Sequence, residues 1–251
     1  MSNKFAGSKG FYILIGIVAI ALIYFVYSSR PGPEITAQGQ ASLKAKPDLV
    51  SVYVLVETRN STAELAQADN SKLTEILLNR LQAAGFDKDS VQLSYYNTYP
   101  DYDWSNNKQT LKGYVVSQQL ILYAPEFSKV PGVVNEIVSA GALVSSINFE
   151  LSSKKQNEYK TTLLADASLD ARNKAVAIAS GLGRKLGKLI AVETQDAYYP
   201  GPIAYYSRAG NLEGSGSTFA TDAAEAKQAA QQLIPQDIDM TAQVSVRYRL
   251  A

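Results

Sequence analysis

The side chains able to do chemistry in this chain are carboxylates, lysines, tyrosines and hydroxyls, because its 251 residues include no histidine and no cysteine. That removes the imidazole base, the thiol nucleophile, the disulfide and every thiolate or imidazole metal ligand. Only hard cations such as calcium or magnesium suit the oxygen ligands that remain. Asp166 and Asp170 lie four residues apart, a spacing that puts both carboxylates on one helical face for paired acid–base work or a shared cation. Lys174 stands four residues beyond Asp170, which favours a solvated ion pair instead. Asp101 and Asp103 form a second carboxylate pair. The run GLGRKLG, with Gly181, Gly183 and Gly187, has the glycines of a phosphate loop. It lacks the Gly-Lys-Ser/Thr ending, and it closes a predicted helix rather than opening one, so it reads as a helix stop. No catalytic residue, cofactor site or metal site is assigned on these grounds.

Aromatic side chains make the more informative pattern. Tyr95, Tyr96, Tyr99, Tyr102 and Trp104 lead into one predicted loop, and Tyr198, Tyr199, Tyr205 and Tyr206 occupy another. Tyrosine offers contact area and a hydroxyl together at a small entropic cost, which suits recognition of another subunit, a glycan or a peptide. Loops that pack on each other and cover a sheet edge would use the same residues. Sixteen tyrosines without a cysteine also allow protection by tyrosine oxidation. Asn60-Ser61-Thr62 is a glycosylation sequon, although Ser61 already has a capping role in the reading below.

These residues need elements to hold them. Hydrophobic residues make up 46% of the chain, enough for a buried core, and 24 Lys and Arg against 23 Asp and Glu leave no field to attract nucleic acid. Alternation predicts strands at 35–45, 49–58, 90–98, 111–123 and 143–151, followed by KLIAVET and the closing MTAQVSVRYRL. A helix is predicted between a capping box at Ser61 and Glu64 and a stop at Gly85, with an apolar stripe of Leu73, Ile76, Leu77, Leu81 and Ala84. A second helix begins near Ser128, takes Pro131 in its first turn and ends at Gly141. The longest spans 156–181, with Leu164, Ala167, Ala171, Ala175, Ile178 and Leu182 at helical spacing. Residues 198–218 read as a long loop, and 220–233 as a short helix ended by Pro235. Strands and helices mix without βαβ regularity, so the fold class is α+β.

Residues 11–27, FYILIGIVAIALIYFVY, carry no charge and reach the lower limit for a membrane-crossing helix. Lys4 and Lys9 precede them and Arg30 follows, which leaves residues 1–10 cytoplasmic and the rest across the membrane. A signal peptide cleaved near Val26-Tyr27-Ser28 is the competing reading; the length of the apolar run favours an uncleaved anchor. Residues 28–34, with Arg30-Pro31-Gly32-Pro33, make a stiff stalk, and 35–251 form the extracytoplasmic domain.

The succession ITAQGQASLKAKPDLVSVYVLVET, LKGYVVSQQLIL and LADASLDARNKAVAIASGLGRKLGKLIAVET resembles the SIMPL-domain family over nearly everything beyond the stalk. The alanine-rich DARNKA at 170–175 followed by GLGRKLGKL at 181–189 is its most specific part, supported by Gly39, Ala41, Pro47 and the closing VSVRYRL. The resemblance implies a compact α+β domain of envelope or exported proteins, oxidative-stress phenotypes, assembly of at least one member into a channel-like ring, and no established catalytic residues. The YYPGPIAYYSRAGNLEGSGS segment and the Ala/Gln-rich stretch after it are longer than the family pattern leads one to expect. The expected function is a membrane-anchored, non-enzymatic module that self-associates as a homo-oligomer, binds no nucleic acid and needs no cofactor. The alternative is a carboxylate-dependent hydrolase of envelope polymers, or a glycan- or peptide-binding protein of the envelope.

Overall fold

A computed structural model of the protein describes Ile20 and residues 32–105, 108–207 and 219–251. Apart from Ile20, the anchor expected at 11–27 lies outside the described residues; among those described, no helix is long and apolar enough to cross a membrane. The elements in chain order are β1 (Glu34–Ala45), β2 (Leu49–Asn60), α1 (Ala63–Ala83), β3 (Val91–Ser105), β4 (Lys108–Ala124), α2 (Val130–Ala140), β5 (Leu143–Glu150), α3 (Ser153–Gly181), β6 (Leu186–Tyr198), β7 (Ile203–Ser207), α4 (Phe219–Gln231) and β8 (Ile238–Leu250). The class is α+β, with helices interspersed among antiparallel strands. The chain divides into two compact units.

The larger unit, Ser42–Leu163 with Ala197–Thr241, holds a five-stranded sheet of order β3-β4-β2-β5-β7. Its core follows from alternation on β2, where Val50, Val52, Val54 and Val56 all point to one side and are buried. Leu77 and Leu81 of α1, Val133, Val134 and Ile137 of α2, and Ala226 and Ala230 of α4 close over that side. A core of this kind, built from both helix stripes and β-branched strands, supplies most of the burial that opposes chain entropy.

Polar ties fix α1 on the sheet. Asn70 is buried and donates its Nδ2 to the Val56 carbonyl at 3.1 Å, and Thr58 Oγ1 donates to the Ala66 carbonyl at 2.7 Å. The cap of α1 is Thr62, not the predicted Ser61. Thr62 Oγ1 accepts from the Leu65 N–H at 3.3 Å, while the Ser61 N–H donates to Asn60 Oδ1. Ile76 and Ala84 of the predicted stripe face solvent, because the buried line runs through Ala66, Asn70, Leu77 and Leu81. The second helix is preceded by a 3-10 turn at Phe127–Lys129, so α2 proper starts at Val130, with Pro131 in its first turn and Gly141 at its end.

The smaller unit draws its described residues from Met1–Ala41, Leu164–Asp196 and Ala242–Ala251, and carries a three-stranded sheet of order β1-β8-β6. Leu250 N–H donates to the Pro33 carbonyl and Gln243 pairs with Gln38, so β1 and β8 run antiparallel. The alanines of α3 explain its closeness to that sheet. Ala167, Ala171, Ala175 and Ala179 recur every fourth residue and are buried, whereas Ile178 and Leu182 of the predicted stripe are exposed. Gly39 of β1 lies on this ridge, where a β-carbon would collide with the Ala167 carbonyl and the Ala171 N–H. The glycine run after α3 ends the helix: the Gly183 N–H donates to Ser180 O and the Arg184 N–H to Ala179 O, at 3.0 and 2.9 Å.

Candidate functional site

The first aromatic group is not the approach to a loop, because β3 continues through Ser105 and pairs with β4 to its end. Pro100 lies two residues beyond the strand predicted at 90–98 and inside β3. It is tolerated because β3 is the edge strand of the five-stranded sheet, where a missing N–H need not cost a ladder bond. Alternation along β3 then sorts the group. Tyr95, Tyr99, Asp101 and Asp103 point to one side of the ribbon, and Tyr96, Thr98, Tyr102 and Trp104 to the other.

All five aromatics are exposed, Trp104 most of all at 73%. On the side away from α1, Tyr99 and Arg59 flank Val115 in one cross-strand row. Arg59 bridges Glu57 at 3.0 Å and Asp101 at 3.1 Å, and Lys112 lies 3.8 Å from Asp103. Burial first, and the Glu57 carboxylate second, push the Tyr99 phenol above its usual value, so it stays a neutral hydroxyl at physiological pH. Gly113 sits in this stretch of β4 at φ 155°, where a β-carbon would meet the Asn60 carbonyl. With Arg59, Asp101 and Lys112 it lines a recess of about 270 Å³. Both carboxylates of the Asp101 and Asp103 pair are thus held by cations.

The second aromatic group divides. Residues 203–207, expected in a loop, form β7, which pairs with β5 through Phe149–Ile203, Asn148–Ala204, Ile147–Tyr206 and Ser146–Ser207. Tyr205 meets the Phe149 ring edge-on at 5.5 Å and donates its hydroxyl to the Gln232 carbonyl. Tyr206 is half-buried against the same core, and the Tyr199 hydroxyl accepts from the Leu151 N–H at 3.4 Å. These three anchor the fold, while Tyr198, 63% exposed, is open to a partner. Residues 208–218 lie outside the described residues.

Asp170 also has a structural occupation. Its carboxylate pairs with Lys174 at 2.7 Å and accepts the Gln40 N–H of β1 at 2.9 Å. The lysine first, and that N–H second, hold it below the usual carboxylate range, the opposite of what a general acid needs. Asp166 is exposed on the same helix. Among the described residues no three carboxylates gather into a metal-binding group.

The match to known proteins follows the described chain closely. A model of the SIMPL family, described as a protein of unknown function, covers residues 35–248.

The chain belongs to the SIMPL family.

YggE of Escherichia coli, itself described as an uncharacterized protein, is 25% identical over 179 residues, which is 71% of this chain and 72% of the relative. The 26 kDa periplasmic immunogenic protein of Brucella melitensis is 27% identical over 195 residues, or 73% of this chain and 77% of the relative. The SIMPL segment therefore includes β1 through most of β8, and with them the aromatic ribbon and the Asp170 tie.

Proposed function

We propose that this SIMPL protein is a membrane-tethered, non-enzymatic interaction module of the cell envelope that self-associates through the aromatic β3–β4 ribbon. The observation that carries the reading is an edge strand with five exposed aromatic side chains. Exposed tyrosine and tryptophan beside an unpaired strand edge favour burial in a protein interface. The periplasmic relative supports placing the domain outside the cytoplasm. The uncharged run at 11–27 supports a single-pass anchor with a cytoplasmic N-terminus. The occupation of Asp101, Asp103 and Asp170 by cations and a backbone N–H favours this reading over a carboxylate-dependent hydrolase. A place in the envelope stress response is part of the proposal, to be tested by peroxide survival of a deletion strain.

Light scattering behind a sizing column, on the full-length chain in detergent, tests the assembly. A discrete oligomer is expected, and Trp104→Ala combined with Tyr102→Ala should lower its mass toward the monomer. A wild-type monomer at high concentration would remove the proposal.

A further inference from the structure

A groove of about 490 Å³ runs between α1 and the outer end of the five-stranded sheet, on the helix side of β3, entirely within the larger unit. Its floor is apolar. Leu93 is 59% exposed and Tyr96 is 46% exposed, and both look into it. An irregularity of β3 makes this floor. Leu93 pairs with Leu120 while Tyr95 pairs with Gln119, so Ser94 is an extra residue bulged out of the ladder. The bulge brings residues 93 and 96, three apart, above Leu120 and Gln118, two apart, and so aims both side chains at α1. Regular alternation would have turned Tyr96 to the other side.

The walls are polar and partly preorganised. Thr74 Oγ1 donates to Gln118 Oε1 at 2.9 Å, which engages the amide oxygen and leaves Nε2 as the donor end of the side chain. Asn79 adds a donor and an acceptor. Glu75 and Lys88 contribute one charge of each sign, so the lining is neutral in sum. A small apolar floor with one aromatic ring, rimmed by amides and hydroxyls and carrying no net charge, matches a ligand with one apolar face and a border of hydroxyls.

We infer that the groove between α1 and the Leu93–Tyr96 bulge binds a neutral pyranose unit of an oligosaccharide, stacked on Tyr96 and hydrogen-bonded to Gln118 and Asn79. This goes beyond the self-association reading and draws on Tyr96, one of the five ribbon aromatics, so an assembly that covers Tyr96 competes with the sugar. The groove is open and shallow, so affinity is modest, with Kd about 1 mM.

The test is calorimetric titration of the full-length chain, in a detergent without a sugar headgroup, with chitotriose and with maltotriose. Saturable binding of at least one is expected. Tyr96→Ala should weaken it about tenfold, as loss of an aromatic platform does. Tyr96→Phe should leave it within about twofold, because the ring and not the hydroxyl makes the stack. Gln118→Leu is a second probe, and thermal melts establish that each variant is folded. Absence of saturable heat with both sugars, or equal affinity in wild type, Tyr96→Ala and Gln118→Leu, overturns the inference. Trialanine binding that is lost in Tyr96→Ala, with no sugar binding, overturns it in favour of a peptide site. Oligomer mass measured on the same samples keeps this outcome separate from the assembly proposal.

Discussion

At the scale of single residues, the alanine ridge of α3 leaves room for one residue type at position 39. Gly39→Ala would drive a β-carbon into the helix backbone, and neither strand nor helix can rotate a side chain away to relieve it. The expected destabilisation is about 1–3 kcal/mol, typical of overpacking, read as a lower urea midpoint at unchanged slope. Asp170 gives a pH signature. Its pKa is lowered in the folded protein, so its contribution is present above the unfolded value near 3.8 and is lost as pH falls through the lower folded value. Wild type and Asp170→Asn should therefore differ in urea midpoint at neutral pH and converge in strong acid. Equal midpoints at pH 7 would show that the tie contributes nothing. The sequence displayed Asp170 and Lys174 as an ion pair, but the Gln40 N–H is 130 positions away and left no local mark.

At the scale of elements, β2, α1, α2 and β5 were legible because local pattern and tertiary burial agree in them. Alternating valines on β2 and the glycine stops after α1 and α2 point the same way as the packing. The departures arise where partners distant in sequence decide. Residues 99–105 look like a turn, with Pro100, Asp101 and Asp103. They remain extended because β4 supplies a partner for each position from Tyr99 to Ser105. Residues 203–207 become β7 through β5, which lies over fifty residues earlier. The cap of α1 was ambiguous because Ser61 and Thr62 both cap well, and the Asn60 side chain decides by engaging the Ser61 N–H. Thr62→Ala should then cost about 1 kcal/mol, and Ser61→Ala less than about 0.5 kcal/mol. Urea melts of the two variants measure the contrast, and the reverse order would return the cap to Ser61. The aromatic residues were visible as a group, but their division into an exposed ribbon and the anchoring Tyr199, Tyr205 and Tyr206 depends on these same long-range pairings.

At the scale of the whole molecule, the two units differ in how the chain builds them. The larger unit comes from two segments, and all five of its strands precede residue 208. The smaller unit needs three segments, and its central strand β8 is the last element of the chain. Of the four crossings between the units only that at Asp196 and Ala197 adjoins a Pro/Gly-rich stretch, Pro200-Gly201-Pro202, so composition alone does not disclose the division. Assembly of the smaller unit must therefore wait on contacts such as Gln38 with Gln243, closed across about two hundred residues. Ending the chain at Thr241 removes most of the strand between β1 and β6 and leaves each without its hydrogen-bonded neighbour in the sheet, while every segment of the larger unit remains. Limited proteolysis of that truncated chain should cut within residues 164–196, and residues 42–163 should persist as protected fragments. Rapid loss of both regions would show that the larger unit depends on the smaller for its stability. Uniform resistance would show that β8 contributes little to holding the three-stranded sheet.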